Sequence, residues 1–371
     1  MELCERKEAV LKAMESERID TLVVASSGWR LFDRPDPVVV LVPFQSLGPC
    51  LLILRADGSS RYVTSPAWDA ERLEKMLTGQ EAVAVGDVFA VLAADLADGV
   101  PAGRIGVVGM NNLPAGLAAR LTGVIGEGVK DFDTTFYAGT GPKTKVQVAR
   151  AREATRIAEL GYERLLEVAR PGVPECEVAV QCNLLMKELG CQDSFSMLNA
   201  GPNLRGVAQS SGRRIEVGDI ILSELSPGVE GQHIQICRTT VVGPASQDRR
   251  NKYDLLVRAM WAGIEEVRPG VPMATVSNAV DRVLIEAGFG DYCRSPYMNR
   301  RGHGCGTGSL APGNVDGDNQ TLLAEDMVFV VHPNQWLPGV DYMMCGEPVA
   351  VTAGGREVLS KRTSWLAELD V

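Results

Sequence analysis

The chain has 371 residues, 45% hydrophobic and 23% charged, with 47 acidic against 37 basic side chains and a net charge of −10. That balance offers no basic stripe to neutralise phosphates and excludes a nucleic-acid binder; the length suits two globular domains with ample material for a core. No apolar run approaches a bilayer span, and the charged start Met1-Glu-Leu-Cys-Glu-Arg-Lys is no secretory leader, so a cytoplasmic protein without a membrane partner is expected.

Glu2 to Arg18 carries helical periodicity, and Thr21 to Ser26 follows as a buried-type strand. Val38 to Val42, Leu51 to Leu54 and Arg61 to Thr64 read as further strands. Helix and strand patterns then alternate as far as Leu121, which predicts an α/β N-terminal domain over residues 1–140. No GxGxxG accompanies these strands, so no dinucleotide is implied. The Gly/Pro/Lys run from Gly139 to Lys145 marks the boundary, and a long helix is predicted from Val146 to Val168. Residues 141–371 then repeat themselves. Arg170-Pro-Gly-Val-Pro174 and Arg268-Pro-Gly-Val-Pro272 stand 98 residues apart, and Glu188-Leu-Gly190 and Glu286-Ala-Gly288 keep the same offset. Two helix pairs, each ended by glycine and followed by strands, predict an α+β domain with an internal pseudo-twofold duplication and a site between its halves.

The chemistry-bearing residues cluster in this second part. Gly218 to Thr240 reads as two strands and a turn, with Glu224 and Gln235 eleven residues apart on neighbouring strands and His233 sharing the face of Gln235 by alternation. Gly302-His303-Gly304-Cys305-Gly306 reads as a Gly-rich turn presenting one histidine. Asp326 to His332 is a strand ending in a second, before Pro333, and Cys345-Gly346-Glu347 opens another strand. On the residues alone, a site and a polar sheet face are both open readings. Nine cysteines without CxxC spacing read as free thiols. Cys237, Cys305 and Cys345 fall within these segments, as inert buried thiols or, for Cys305, as a nucleophile beside His303.

This order of segments resembles the pita-bread family: methionine aminopeptidase, aminopeptidase P, prolidase and creatinase. In metal-dependent members the resemblance implies an Asp-Asp-His-Glu-Glu set, whose positions fall here on Glu224, Gln235, His303, His332 and Gly346, with Arg238-Thr239 in place after the second. Too few anions remain to hold two hard divalent cations, so a metal-free site is expected. A single softer ion at His303, His332 and Glu224 is the alternative cofactor. By likeness to the creatinase branch, the expected function is metal-independent hydrolysis of a carbon–nitrogen bond in a small polar nitrogenous compound, guanidino or amidino, rather than peptidase activity. His332, His303, Glu224 and Glu347 would be catalytic; Gln235, His233, Arg301 and Trp336 would meet the substrate. A metal-independent carbon–heteroatom lyase and a non-catalytic binding module are the alternatives. The resemblance also implies a homodimer, with the N-terminal domain reaching towards a partner's site from near Trp29-Arg30. Three positions stay open in role: His233 as acid–base group or loop cap, Arg301 as carboxylate clamp or solvated surface charge, Trp336 as a cation–π platform or core.

Overall fold

The computed structural model describes residues 2–27, 36–77, 81–84, 86–97, 99–306 and 312–371; Trp29 and Arg30 lie outside them. The contacts divide the chain into a unit of Met1–Thr144 and a second that starts at Lys145 and runs to Val371, so the boundary sits where the long helix begins.

In the first unit, β1 (Thr21–Ser26), β2 (Cys50–Arg55), β3 (Ser60–Thr64), β4 (Glu81–Ala84), β5 (Ile105–Val108) and β6 (Lys130–Asp131) make one mixed sheet in the order β4-β3-β2-β1-β5-β6. Every residue of β1 is buried. Leu22 and Val24 pack with Val10 and Met14 of the helix Glu2–Glu17, while Val23 and Ala25 pack with Phe89 and Leu92 of the helix Val88–Leu96. Cover on both faces is why the strand reads as an unbroken apolar run. The expected strand Val38 to Val42 is instead the short helix Pro37–Leu41. The Asp36 carboxylate accepts from the amides of Val38 and Val39, at 2.9 and 3.4 Å, and Pro37 occupies the first helical position. Cap and proline together override the β-branched composition.

The second unit is built twice. The helices Glu175–Glu188 and Met273–Glu286 have 14 residues each and start 98 residues apart. Each is entered through a proline, Pro174 or Pro272, with matching backbone angles, after a left-handed glycine, Gly172 (φ 89°) or Gly270 (φ 82°). The amide of each glycine donates across to a later strand-like segment, Gly172 to Ile215 and Gly270 to Leu323, both at 2.8 Å. A side chain there would strain the turn, so both halves keep glycine. Each helix pair completes a separate apolar core, the first with Lys145–Val168 and the second with Gln247–Glu265.

The first half adds β7 (Asp193–Gly201), β8 (Ile220–Val229), β9 (Gln232–His233) and β10 (Ile236–Val242). The second adds β11 (Gly302–Gly304), β12 (Val328–Val331), the hairpin β13 (Gln335–Leu337) and β14 (Asp341–Met343), β15 (Glu347–Thr352), β16 (Gly355–Val358) and β17 (Ala367–Leu369). The sheets run β17-β10-β8-β7, with β9 beside β8, and β11-β12-β15-β16. Their seam is a reciprocal pair: the Cys237 amide donates to the Gly346 carbonyl at 3.3 Å, and the Gly346 amide to the Cys237 carbonyl at 3.1 Å. Thr239 Oγ1 stitches the next step, accepting from the Met344 amide at 2.7 Å. The seam places side chains from both halves around one point.

Candidate functional site

Glu224 sits mid-strand in β8, with Cys237 of β10 as its cross-strand partner. The carboxylate is 8% exposed. Cys237 Sγ approaches its Oε1 at 3.8 Å and Asn334 Nδ2 at 3.4 Å. Burial pushes its pKa up to about 7, and the Cys237 thiol pulls only weakly the other way. Gln235 Nε2 reaches Cys237 Sγ at 3.3 Å, and Asn334 Nδ2 lies 3.8 Å from the same sulfur. Burial, with the Glu224 carboxylate beside it, holds the thiol well above its ordinary range, which makes Cys237 a weak hydrogen-bond donor rather than a nucleophile.

From the other half come two imidazoles. His303 lies in β11, opposite Val330 of β12, so the expected Gly-rich turn is a strand held by a neighbour. His332 follows β12 directly, its amide donating to the Arg301 carbonyl at 2.9 Å. The two rings meet edge to face, 5.3 Å between centroids. His303 Nδ1 lies 3.0 Å from the Gly304 carbonyl, and burial lowers its pKa. His332 is pulled down to about 3, first by burial and then by His303, so its ring is neutral. Both its ring nitrogens lack a hydrogen-bond partner among the described residues, as does Asn334 Oδ1. Gly346 closes the gap between halves. A Cβ there would stand 2.7 Å from His332 Cβ and 3.0 Å from Cys237 Cβ, a space that no larger residue enters without displacing one of them.

Four of the expected site residues have other partners. Glu347 accepts from the amide and hydroxyl of Ser364, at 2.6 and 2.7 Å, and pairs with Arg238 at 3.2 Å. Arg238, 1% exposed, also donates to the carbonyls of Cys237, Gly346 and Arg362 and to Ser364 Oγ. This buried pair fastens the seam and is not free to meet a substrate. Arg301 is fully buried against Asp281 at 2.6 Å and Gln335 at 2.8 Å, so it is not a surface charge, and its Nη2 has no hydrogen-bond partner among the described residues. His233 packs on Gly228, its Nε2 3.6 Å from the Asp193 carboxylate. Trp336, half-buried, stacks on Tyr297 with centroids 5.6 Å apart. Asn334 and Cys237 complete the cluster, and period-two alternation from His332 and Gln235 is the sequence signal that points at both.

The donor set does not suit a pair of divalent ions. Glu224 is the carboxylate of the cluster, Gln235 is neutral, Gly346 brings no side chain, and Glu347 is spent on Arg238. Among the described residues no three His, Cys, Asp or Glu side chains converge as a ligand set, so the alternative single-ion site of His303, His332 and Glu224 is not assembled either.

Comparison with known proteins sets this cluster in a lineage. The model of metallopeptidase family M24 matches residues 149–353. An uncharacterized peptidase of Staphylococcus aureus (strain USA300) is 26% identical over 233 residues, which is 62% of this chain and 65% of that protein, so the alignment spans less than two thirds of its length. The Xaa-Pro dipeptidase of Pyrococcus furiosus is 23% identical over 360 residues, covering 96% of this chain and 98% of that one. The crystal structure of prolidase from Thermococcus sibiricus superposes with a TM-score of 0.86 at 21% identity, covering 100% of both chains. These relatives overturn the expectation of a creatinase-like hydrolase acting on a guanidino or amidino carbon–nitrogen bond, and with it the exclusion of peptidase chemistry: the activities named among them are those of Xaa-Pro dipeptidase and prolidase. Among the described residues no helix is long and apolar enough to cross a membrane. The chain belongs to the metallopeptidase family M24 and is built on the pita-bread fold.

Proposed function

We propose that this protein hydrolyses the amide bond of a small peptide-like compound, with Glu224 as general base and neutral His332 as hydrogen-bond donor to the scissile carbonyl, and without a metal ion. The observation that carries this reading is the pairing of two buried groups across the seam. Among the described residues, one is a carboxyl with no cation beside it and a pKa of about 7, and the other an imidazole with both ring nitrogens unpartnered. A base poised near neutral pH and an uncharged donor aimed at a developing oxyanion are what amide hydrolysis needs from side chains. The relatives' named activity on peptides supplies the bond type.

In this scheme the Glu224 carboxylate takes a proton from water as the water oxygen bonds to the carbonyl carbon. The carbonyl π electrons move onto oxygen, which accepts a hydrogen bond donated by the N–H of His332. Asn334 Nδ2 holds Glu224 Oε1 in place. Glu224 then passes the proton to the amide nitrogen as the carbon–nitrogen bond breaks, leaving an acid and an amine. A panel of dipeptides, Xaa-Pro compounds included, assayed with a chelator present, tests this. Glu224→Gln and His332→Ala are each expected to lower kcat/KM by about 100- to 10,000-fold. Turnover that disappears on chelation, or that survives Glu224→Gln, would overturn the proposal.

A further inference from the structure

Two groups of the cluster, the His332 ring and the Asn334 amide, hang from one three-residue turn. The Asn334 backbone amide donates to the His332 carbonyl at 2.7 Å, which closes a γ-turn around Pro333. One internal hydrogen bond does not fix where such a turn stands, so its place is set at its two ends. At the first end the His332 amide donates to the Arg301 carbonyl at 2.9 Å. Just past the other end, Arg301 Nη1 donates to Gln335 Oε1 at 2.8 Å. A single residue therefore holds the turn from both sides, by main chain at His332 and by side chain at Gln335.

Arg301 is anchored on its own account. Its amide donates to the Val315 carbonyl at 2.6 Å, and the next residue, Gly302, is register partner to Val331 of β12. A Cβ on Gly302 would stand 1.9 Å from the Val330 carbonyl oxygen, so the chain here lies too close to β12 for any other residue. Arg301 Nε donates to Asp281 of the helix Met273–Glu286 at 2.6 Å. Gln335, fully buried, is fixed in turn by its Nε2, which donates to the Tyr292 carbonyl at 2.6 Å. Stability alone does not account for the charge. A buried guanidinium whose Nη2 finds no hydrogen-bond partner among the described residues is costly, and an apolar side chain would fill the space without that cost. The contribution of the guanidinium is geometric: its planar fork spans Asp281 and Gln335 at a fixed separation, which a lone ammonium does not.

We propose that Arg301 is a positioning residue: through its carbonyl and through Gln335 it sets where the His332 ring and the Asn334 amide stand against Glu224. Its effect on rate rests on the hydrolytic reading; its effect on the placement of the ring does not. Two readouts on the full chain separate them. Nuclear magnetic resonance of protein carrying ring-13C histidine reads all three imidazoles, His233, His303 and His332, with His332 assigned through His332→Ala. Arg301→Lys keeps a charge beside Asp281 without spanning to Gln335, and Gln335→Met removes the acceptor. Each is expected to move the resonances of His332 and of His303, its edge-to-face neighbour, and to leave those of His233 in place. Each should also lower kcat on dipeptides about 10- to 100-fold with KM held within about twofold. Gln335→Glu keeps an oxygen opposite Nη1 and should retain the native resonances and kcat to within about threefold. Arg301→Lys preserves the buried charge pair, so the test holds even where Gln335→Met does not fold. Variants that lower only the thermal midpoint, or a Gln335→Glu as damaging as Gln335→Met, overturn the inference. If the native protein hydrolyses no dipeptide while the rings follow this pattern, the hydrolytic proposal falls and the placement stands. If it does hydrolyse them and kcat survives Arg301→Lys, the positioning role falls and the hydrolytic proposal stands.

Discussion

Replacing Glu224 by glutamine should stabilise the protein, and increasingly so as the solution becomes more alkaline. Burial moves this carboxyl from its ordinary 4.5 up to about 7. At about 1.4 kcal/mol per pH unit that span corresponds to about 3 kcal/mol. The sign follows from proton counts. Between pH 4.5 and about 7 the folded protein keeps a proton on Glu224 that the unfolded chain has released, so stability falls as pH rises through this window. Below it both states are protonated and the cost vanishes; above it both are ionised and the cost is complete. Glutamine keeps the shape and stays neutral throughout. Urea denaturation of both proteins at steps from about pH 4 to pH 8.5, followed by the fluorescence of Trp261, Trp336 and Trp365 in the second unit, reads the difference. It should open from near zero at the acid end to about 3 kcal/mol in favour of the variant. A difference that stays flat, or one that favours the native carboxylate at high pH, would refute the reasoning. The second result is what a cation seated against Glu224 would produce.

Glu347→Ala should cost about 3–5 kcal/mol, because it leaves the buried Arg238 guanidinium without its counter-charge; a loss below about 1 kcal/mol in denaturant titration would contradict the role of that pair. Gly346→Ala places a methyl 2.7 Å from His332 Cβ. It should destabilise by about 1–3 kcal/mol and lower kcat with little effect on KM, since the displaced ring acts on the carbonyl. Dialysis against a chelator, or added Mn or Zn at about 1 mM, should leave the thermal midpoint unchanged, as a bound ion would stabilise by mass action. A metal-dependent rise in the midpoint would show a ligand set that the described side chains do not form.

The framework was legible in the sequence because it depends on local signals. The paired Pro-Gly stops need left-handed glycines and fixed proline angles, and these survive as the repeated Arg-Pro-Gly-Val-Pro. The buried β1 strand shows itself as an apolar run. The fate of individual charges was not legible, because it depends on partners far along the chain. Glu347 beside Gly346 suggested a catalytic acid, yet Arg238, 109 residues earlier, claims it. Arg301 read as either a carboxylate clamp or a solvated surface charge, and Asp281 and Gln335 instead close over it. The helix Pro37–Leu41 misled for the opposite reason: one aspartate and one proline outweighed a run of aliphatic side chains. The family resemblance located the site's positions, but which of them face one another is decided at the Cys237–Gly346 seam.

Arg238 carries one more consequence, for how the molecule is made. Its guanidinium grips the Arg362 carbonyl and Ser364 Oγ, each at 3.0 Å, and β17 lies alongside its own strand, β10. A ribosome makes Glu224, His303 and His332 before residues 362–369 exist to fasten that charge. The groups of the candidate site are therefore made first and locked into register afterwards, by a clasp that follows all three of them along the chain.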